Sequence, residues 1–440
     1  MNVVIIGTGY VGLVSGLGYA KLGHRVVCVD KDANRIANLD LGEPPFFEPG
    51  LSDLLREIQE AGRIVFTTDL SGVISGADII MIAVGTPSRA SGEADLSAIF
   101  SVAEEIGKNL EHEVVIVTKS TVPVGTNRKI IECVRENMRA AGRSDLADLA
   151  VIASMPEFLA EGSALKDFMQ PSRVVIGADD AVAMATLERL HEGINSPHVL
   201  TSIENAELAK YAANAFLATK ISFINEMANL ADAVGADVIE VVKSIGLDPR
   251  IGPYFLRPGI GFGGSCFPKD VSALKQLANE RGYDFKILSS VIDVNNRQRE
   301  LFVRRVEGIL NDFKNRTIAV WGLAFKGNTD DIRKSAAIDI VQYLVGRGAN
   351  VIVYDPRANE RAKEVLPETV SFASTAVDAV EGAEALLVLT DWREFREVSF
   401  ETVREKMLTP IIFDGWNLLA DLNLKDLGFT YYGVGTRGHN

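Results

Sequence analysis

Apolar residues fall in short, strand-length runs separated by longer segments with helical spacing, and this alternation recurs at both ends of the chain. Residues 3–6 read as a buried strand, 7–12 as a glycine turn, 13–22 as a helix and 25–30 as a second strand. Further strands fit 64–67, 79–84, 114–119 and 151–154, with helical segments between most of them. Strands alternating with helices predict a parallel, doubly wound sheet. From Ser202 the pattern changes. Residues 204–234 form a long helical stretch rich in Ala, Leu, Asn and Lys and free of proline, and more helix is predicted over 271–281 and 286–311. A polar link, 311–316, leads into a new β-α-β unit: strand 317–322, helix 336–347, strand 350–354. Strands at 385–389 and 410–413 complete it. The predicted fold class is α/β, with two doubly wound domains (1–200 and 312–440) joined by a helical middle (201–311).

Composition narrows the functional classes. A chain of 440 residues exceeds one ordinary core, and 47% hydrophobic with 24% charged residues is the balance of a globular protein. The start, MNVVIIGTGYVG, lacks the basic residues and small-residue cleavage site of a signal peptide, and runs such as 79–84 and 386–389 fall far short of the roughly 20 residues that span a bilayer. No membrane partner is expected. Cys28, Cys133 and Cys266 leave one cysteine unpaired and form no metal-ligand cluster, so a reduced, cytoplasmic protein without a metal is expected. The net charge of −14 argues against broad nucleic-acid binding. An anionic ligand would need a local basic pocket and helix N-termini.

Gly7-Thr8-Gly9-Tyr10-Val11-Gly12 follows a strand and opens a helix, the context in which a glycine fingerprint signals dinucleotide binding. The glycines permit a tight turn and close pyrophosphate approach, and the helix N-terminus offers N–H donors. Asp30 ends the second strand, 18 residues beyond Gly12, where a carboxylate can bind the ribose 2′-hydroxyl and repel a 2′-phosphate. NAD is therefore favoured over NADP, although Arg35 is near enough to face the ribose as well. A unit that binds flavin, or nothing, is the alternative. Segments 84–87 (with Gly85 and Thr86) and 120–123 (with Thr121) lie at carboxyl ends of strands, the ligand edge of such sheets.

Reactive groups occur in four segments. Glu157 and Glu161 follow a strand, where a buried carboxyl can act as acid or base; ordinary helix-surface charges are the plainer alternative. Lys210 and Asn214, four apart, share one helix face and can converge on one oxygen. Lys326 and Arg333 lie on a strand-to-helix loop suited to pyrophosphate. Cys266 sits in a loop of three glycines with Lys269 and Asp270 behind it. The bland alternative makes it a small apolar residue, with Asp270 capping a helix over 271–281. Oxidising an alcohol only once needs no nucleophile. Carrying it to an acid does, because the aldehyde must be captured before a second hydride leaves, so a cysteine near a nicotinamide suggests two successive oxidations through a thiohemiacetal and a thioester.

Taken together, GTGYVGLVSG (7–16), EPGL (48–51), VGTP (84–87), KSTVPVGT (119–126), PEFLAEGSA (156–164), AKYAANAFLATKISFINE (209–226), GIGFGGSCFPKD (259–270) and FKGNTDDIR (325–333) resemble the UDP-glucose/GDP-mannose dehydrogenase family from end to end. The resemblance implies two Rossmann-like domains around a long central helix that also builds a homodimer. It implies oxidation of a sugar-nucleotide C6 alcohol to a carboxylate with two NAD, with UDP-glucose as the substrate of the nearer branch. Cys266 would be the nucleophile, Lys210 and Asn214 the oxyanion donors, Thr121 and Asp270 the holders of the hydrolytic water, and Glu157 the acid/base. Gly7, Gly9, Tyr10, Val11, Gly12, Asp30, Arg35, Gly85, Thr86, Thr121, Glu161 and Arg333 would contact NAD. Substrate would meet Phe158, Leu159, Glu161, Lys210, Asn214, Tyr254, Phe255, Arg257, Gly259, Gly263 and Lys326, with Arg250 reaching in from the second subunit. Two positions depart from the family pattern. Met155 stands where Asn is usual, and Trp416 stands where Arg usually follows Asp414-Gly415. The rival expectations are a sister enzyme acting on GDP-mannose or a UDP-N-acetylhexosamine, a catalytically silent NAD-binding protein, and a two-electron hydroxyacid-type dehydrogenase.

Overall fold

The computed structural model describes residues 1–436. The chain divides into two compact units, Met1–Ala213 and a second from Asn214 on. The first holds strands β1 (Asn2–Ile6), β2 (Arg25–Val29), β3 (Ile64–Thr67), β4 (Ile79–Ile82), β5 (Val115–Thr118), β6 (Val151–Ser154), β7 (Val174–Ala178) and β8 (His198–Thr201). They form one sheet in the order β3-β2-β1-β4-β5-β6-β7-β8. The sequence runs outward from β1 in both directions, so the strand order reverses between β1 and β4, where such sheets open a ligand crevice at their carboxyl ends. Strands β4 and β5 are buried on both faces, and β4 reads accordingly as an unbroken apolar run. The sheet is not wholly parallel as expected, because β7 pairs antiparallel with β6. Neither β7 nor β8 was predicted. β8, an edge strand, leaves Val199 and Leu200 exposed and carries no alternation to reveal it.

The glycine turn is dictated by contact. Gly7 has φ +102°, and a Cβ there would stand 2.7 Å from the Ala83 carbonyl oxygen; one on Gly12 would stand 1.8 Å from the Gly7 carbonyl oxygen. The helix after the turn spans Tyr10–Lys21 and so begins three residues earlier than the pattern suggested, with Gly12 inside its first turn.

The second unit contains β9 (Thr317–Trp321), β10 (Asn350–Tyr354), β11 (Ser371–Phe372), β12 (Ala385–Val388), β13 (Ile411–Asp414) and β14 (Thr430–Gly433), all parallel, in the order β11-β10-β9-β12-β13-β14. Its core joins Ile318, Val320 and Leu387 of the sheet to Ile224 and Ala228 of the long helix and Phe302 and Val306 of the helix Lys286–Leu310. The long helix, Ile203–Val234, contains neither proline nor glycine and runs unbroken through the boundary between the units.

The helix after the cysteine loop spans Phe267–Glu280 rather than starting at 271. Pro268 lies in its first turn, where a fixed φ and a missing N–H favour initiation. Cys266 therefore occupies the N-cap and Asp270 lies inside the helix, which corrects the expectation that Asp270 would cap it. Among the described residues, no helix is long and apolar enough to cross a membrane.

Candidate active site

In the first unit the carboxyl ends of β1, β2 and β4 frame a dinucleotide cradle. The helix Tyr10–Lys21 has Gly9 as N-cap with no side-chain cap, and a Cβ on Gly9 would meet nothing within 4 Å. Uncapped N–H groups facing open space fit a pyrophosphate. Just past β2, Asp30 accepts from the Thr8 N–H (2.8 Å) and hydroxyl (2.7 Å) on one oxygen, which also pairs with Arg35 at 3.1 Å. Burial alone would raise this carboxyl, but the two Thr8 bonds, the Asp32 N–H and Arg35 hold it below its usual range. Thr86 is buried and donates its hydroxyl to the Thr121 carbonyl at 3.0 Å, joining the loops after β4 and β5, while Gly85 is exposed between them.

Tyr10 takes part in a network that sequence reasoning did not assign. Its hydroxyl bonds Glu48, and Glu48 accepts from the Gly162 N–H (2.6 Å) and the Ala164 N–H (2.7 Å). Burial foremost, and then Glu48, keep the Tyr10 hydroxyl protonated. A buried glutamate thus ties the glycine turn to the segment that carries Glu157–Glu161; the EPGL motif was its only signal.

Glu157 and Glu161 are buried in the loop after β6, so the helix-surface alternative does not hold. Glu157 pairs with Lys210 at 2.9 Å and accepts from the Leu159 N–H at 2.5 Å. Two cations approach the Phe158 ring, the Arg173 guanidinium at 3.7 Å and the Lys210 ammonium at 5.4 Å from its centre. Lys119 is a buried cation that the motif reading passed over. Burial foremost, then repulsion from Lys210, lower it to about 8 against the attraction of Glu157. One turn before Lys210, Glu207 accepts from the Gly125 N–H (2.6 Å) and from the Asn127 N–H and side chain (2.9 and 2.7 Å). That contact fixes the segment bearing Lys119 and Thr121 at the start of the helix Thr126–Ala140.

The second unit assembles Cys266, Asp270 and Asn214. Asp270 is buried between the Asn214 amide (2.6 Å) and the Lys269 ammonium (2.5 Å). Cys266 is half-buried at a helix N-terminus, 3.5 Å from the Ser265 hydroxyl. Cys28, by comparison, is fully buried, and burial foremost with the nearby Asp30 charge pushes its thiol up to about 12. Gly259 and Gly263 are buried in the cysteine loop, and a Cβ on Gly263 would lie 2.3 Å from the Lys334 carbonyl oxygen. The Gly264 N–H donates to the Arg333 carbonyl at 2.9 Å, docking the cysteine loop on segment 325–334. On that segment Lys326 stands 5.6 Å from the Phe325 ring centre, and the exposed Arg333 side chain pairs with Asp331 at 2.7 Å.

Arg257 donates to the Trp416 carbonyl (2.9 Å) and to Asp391 (3.0 Å), and the Trp416 indole N–H donates to the Leu389 carbonyl (2.8 Å). The unusual tryptophan is therefore pinned edge-on to the sheet end, with its Cε3 3.2 Å from where a Gly259 Cβ would lie. Met155, the other departure, is fully buried in the core of the first unit. Tyr254 and Phe255 are exposed, the latter at φ 62°. Arg250, with 87% of its side chain exposed, pairs with Asp248 at 2.6 Å. Among the described residues no group of acidic, histidine or cysteine side chains is placed to hold a metal.

Residues 1–195 match the NAD binding domain of the UDP-glucose/GDP-mannose dehydrogenase family, 204–297 its central domain and 319–421 its UDP binding domain. The chain is 45% identical to the UDP-glucose 6-dehydrogenase TuaD of Bacillus subtilis, covering 99% of this chain and 93% of that protein. It is 44% identical to a UDP-glucose 6-dehydrogenase of Pseudomonas aeruginosa, covering 99% and 97%. A solved UDP-glucose dehydrogenase from the archaeon Pyrobaculum islandicum superposes with a TM-score of 0.90 at 35% identity, covering 99% and 98%. With a glycine cradle that fits NAD, a cysteine at a helix N-terminus and all three domain matches in order, the chain belongs to the UDP-glucose/GDP-mannose dehydrogenase family.

Proposed function

We propose that the protein is an NAD-dependent UDP-glucose 6-dehydrogenase that carries the sugar C6 alcohol to the carboxylate of UDP-glucuronate. The observation that carries this is Cys266 at the N-terminus of Phe267–Glu280, one turn from a buried Asp270 held by Asn214 and Lys269. NAD, when bound by the glycine cradle and Asp30, supplies the acceptor for each of the two hydrides that leave C6. Glu157 takes the alcohol proton, directly or through water, and Lys210 and Asn214 donate to the oxygen on which charge develops. The Cys266 thiolate adds to the aldehyde carbon, forming a C–S bond. The resulting thiohemiacetal becomes a thioester on loss of the second hydride. Water held by Asp270 and Thr121 attacks the thioester; the C–S bond breaks, the thiolate returns and the acid leaves as carboxylate. Lys326, Arg333 and Arg257 supply the local positive charge that an anionic nucleotide requires on a chain of net charge −14.

A sister nucleotide sugar, GDP-mannose or a UDP-N-acetylhexosamine, is the second reading, favoured by one observation: Trp416 replaces a cation beside Arg257. We further propose a homodimer built on the long helix, where Phe216, Phe223 and Leu230, seven residues apart, stand 66%, 54% and 51% exposed on one stripe. Three free cysteines support a reducing, cytoplasmic location. The test is NADH release across UDP-glucose, UDP-galactose, GDP-mannose and UDP-N-acetyl sugars. Preference for UDP-glucose supports the proposal, preference for another sugar moves it to the sister reading, and silence with all of them refutes it.

A further inference from the structure

A loop with three glycines in four positions should be conformationally loose, because glycine loses more freedom on ordering than any other residue. Residues 258–264 are nevertheless buried throughout, so each of their peptide groups needs a partner. Much of that partnering comes from side-chain amides. Asn295, in the helix Lys286–Leu310, accepts from the Phe262 N–H at 2.7 Å and donates to the Phe262 carbonyl at 3.0 Å, closing a two-bond ring around one residue. One turn on, Gln298 donates to the Gly259 carbonyl at 2.9 Å, and Asn225 accepts from the Gly259 N–H at 2.8 Å. The fit at Asn295 is close: Gly261 has φ +101°, and a Cβ there would stand 2.9 Å from Asn295 Oδ1.

From Phe262 the constraint passes to the nucleophile. The Phe262 ring packs edge-to-face on Phe267, the first residue of the helix whose N-cap is Cys266, with centres 5.9 Å apart at 88°. Asparagine is also a poor choice for the middle of a helix, where its side chain competes for backbone bonds. Here it is buried with both halves of its amide committed to the loop. An uncharged amide fixes the loop without adding a charge beside a thiolate. A local preference broken at such a place marks a residue kept for its task.

We propose that Asn295 is a positioning residue for Cys266, acting through the Phe262 peptide to hold the thiolate where it captures the aldehyde before it escapes. This rests on Cys266 being the nucleophile. A misplaced cysteine would still permit the first oxidation, so the defect appears as leakage rather than simple loss of rate. The test measures NADH formed per UDP-glucuronate, and free aldehyde trapped by a hydrazide probe, in wild type, Asn295→Ala and Asn295→Asp, with Cys266→Ala alongside. Asn295→Asp keeps the size and the acceptor but sets a carboxylate against the Phe262 carbonyl, so it serves if the alanine variant fails to fold. The expected result is a fall in acid formation of roughly 10- to 100-fold, the cost of a misplacement near 1 Å, with NADH per acid rising above two and aldehyde appearing. A ratio that stays at two, with no aldehyde and a lower or unchanged rate, makes Asn295 merely structural and overturns the proposal. Acid formation by Cys266→Ala at the wild-type rate would instead overturn the nucleophile assignment, so the two failures are distinguishable.

Discussion

Lys210 Nζ stands 2.9 Å from Glu157 Oε1, with 4% and 5% of the two side chains exposed. A pair sealed to this degree costs desolvation on both sides, and removing one partner leaves the other charge stranded. Lys210→Met should therefore destabilise the protein by about 3–5 kcal/mol in urea unfolding at neutral pH. Lys210→Met/Glu157→Gln should recover part of that loss, because neither member of the pair is left charged without the other, the remainder being the attraction that buried Lys119 loses with Glu157, while turnover stays abolished in both. Wild-type stability in the single variant would contradict the pairing.

His191 gives the fold a built-in acid sensitivity. Its Nδ1 faces the Leu187 carbonyl at 2.8 Å and its Nε2 the Tyr19 hydroxyl at 3.1 Å, an arrangement that suits a neutral ring. Burial foremost, with Lys119, His198 and His24 as further cations, pushes it down to about 4 against the bond to Leu187. The unfolded chain binds this proton near pH 6.5, so it holds more protons than the folded one between the two values. The stabilisation is complete above about pH 6.5 and is lost as pH falls toward 4. Replacing His191 by Gln should flatten the fall in unfolding free energy between pH 7.5 and 4.5 by on the order of 3 kcal/mol. An unchanged slope would remove His191 as the cause.

Asp30 engages Thr8 and Arg35 at once, so it neutralises a cation that could greet a 2′-phosphate. Asp30→Ala should raise the KM for NAD by roughly 10- to 100-fold, the worth of a charged hydrogen bond, and should improve use of NADP as Arg35 is released. Unaltered cofactor preference would take Asp30 out of the ribose site.

Glu48 joins Tyr10 to Gly162 and Ala164 without being placed in the chemistry. Glu48→Ala takes the acceptor from the buried Ala164 N–H, at about 1–3 kcal/mol, and leaves the Gly162 N–H on the Tyr10 hydroxyl 3.0 Å away. A lower melting temperature and a raised KM for NAD, with kcat close to wild type, are expected; steady-state kinetics against NAD reads the split. A kcat collapse with unchanged KM would assign Glu48 a different task.

The elements legible in the sequence were those whose pattern is local. β1 from Val3 on and β4 are buried, unbroken apolar runs, and the Ile203–Val234 helix lacks any breaker. The start of Phe267–Glu280 was misplaced because three glycines obscured the initiating Pro268. Of the site, Cys266, Asp270 and Lys210 stood out as reactive types in odd places. Asn225, Asn295 and Gln298 did not, because each acts on a peptide between 33 and 39 residues away, and no periodicity reports such a pairing. Lys119 and Glu48 were hidden for another reason: their burial, not their type, makes them notable. Met155, one of the two departures from the family pattern, belongs to the core.

The central claim is that one cysteine holds an aldehyde between two oxidations. The most direct measurement is NADH formed per UDP-glucose consumed, followed with a hydrazide trap for free aldehyde. Two NADH per sugar, UDP-glucuronate as the sole product and no trapped aldehyde are predicted. One NADH per sugar with free aldehyde accumulating would contradict it.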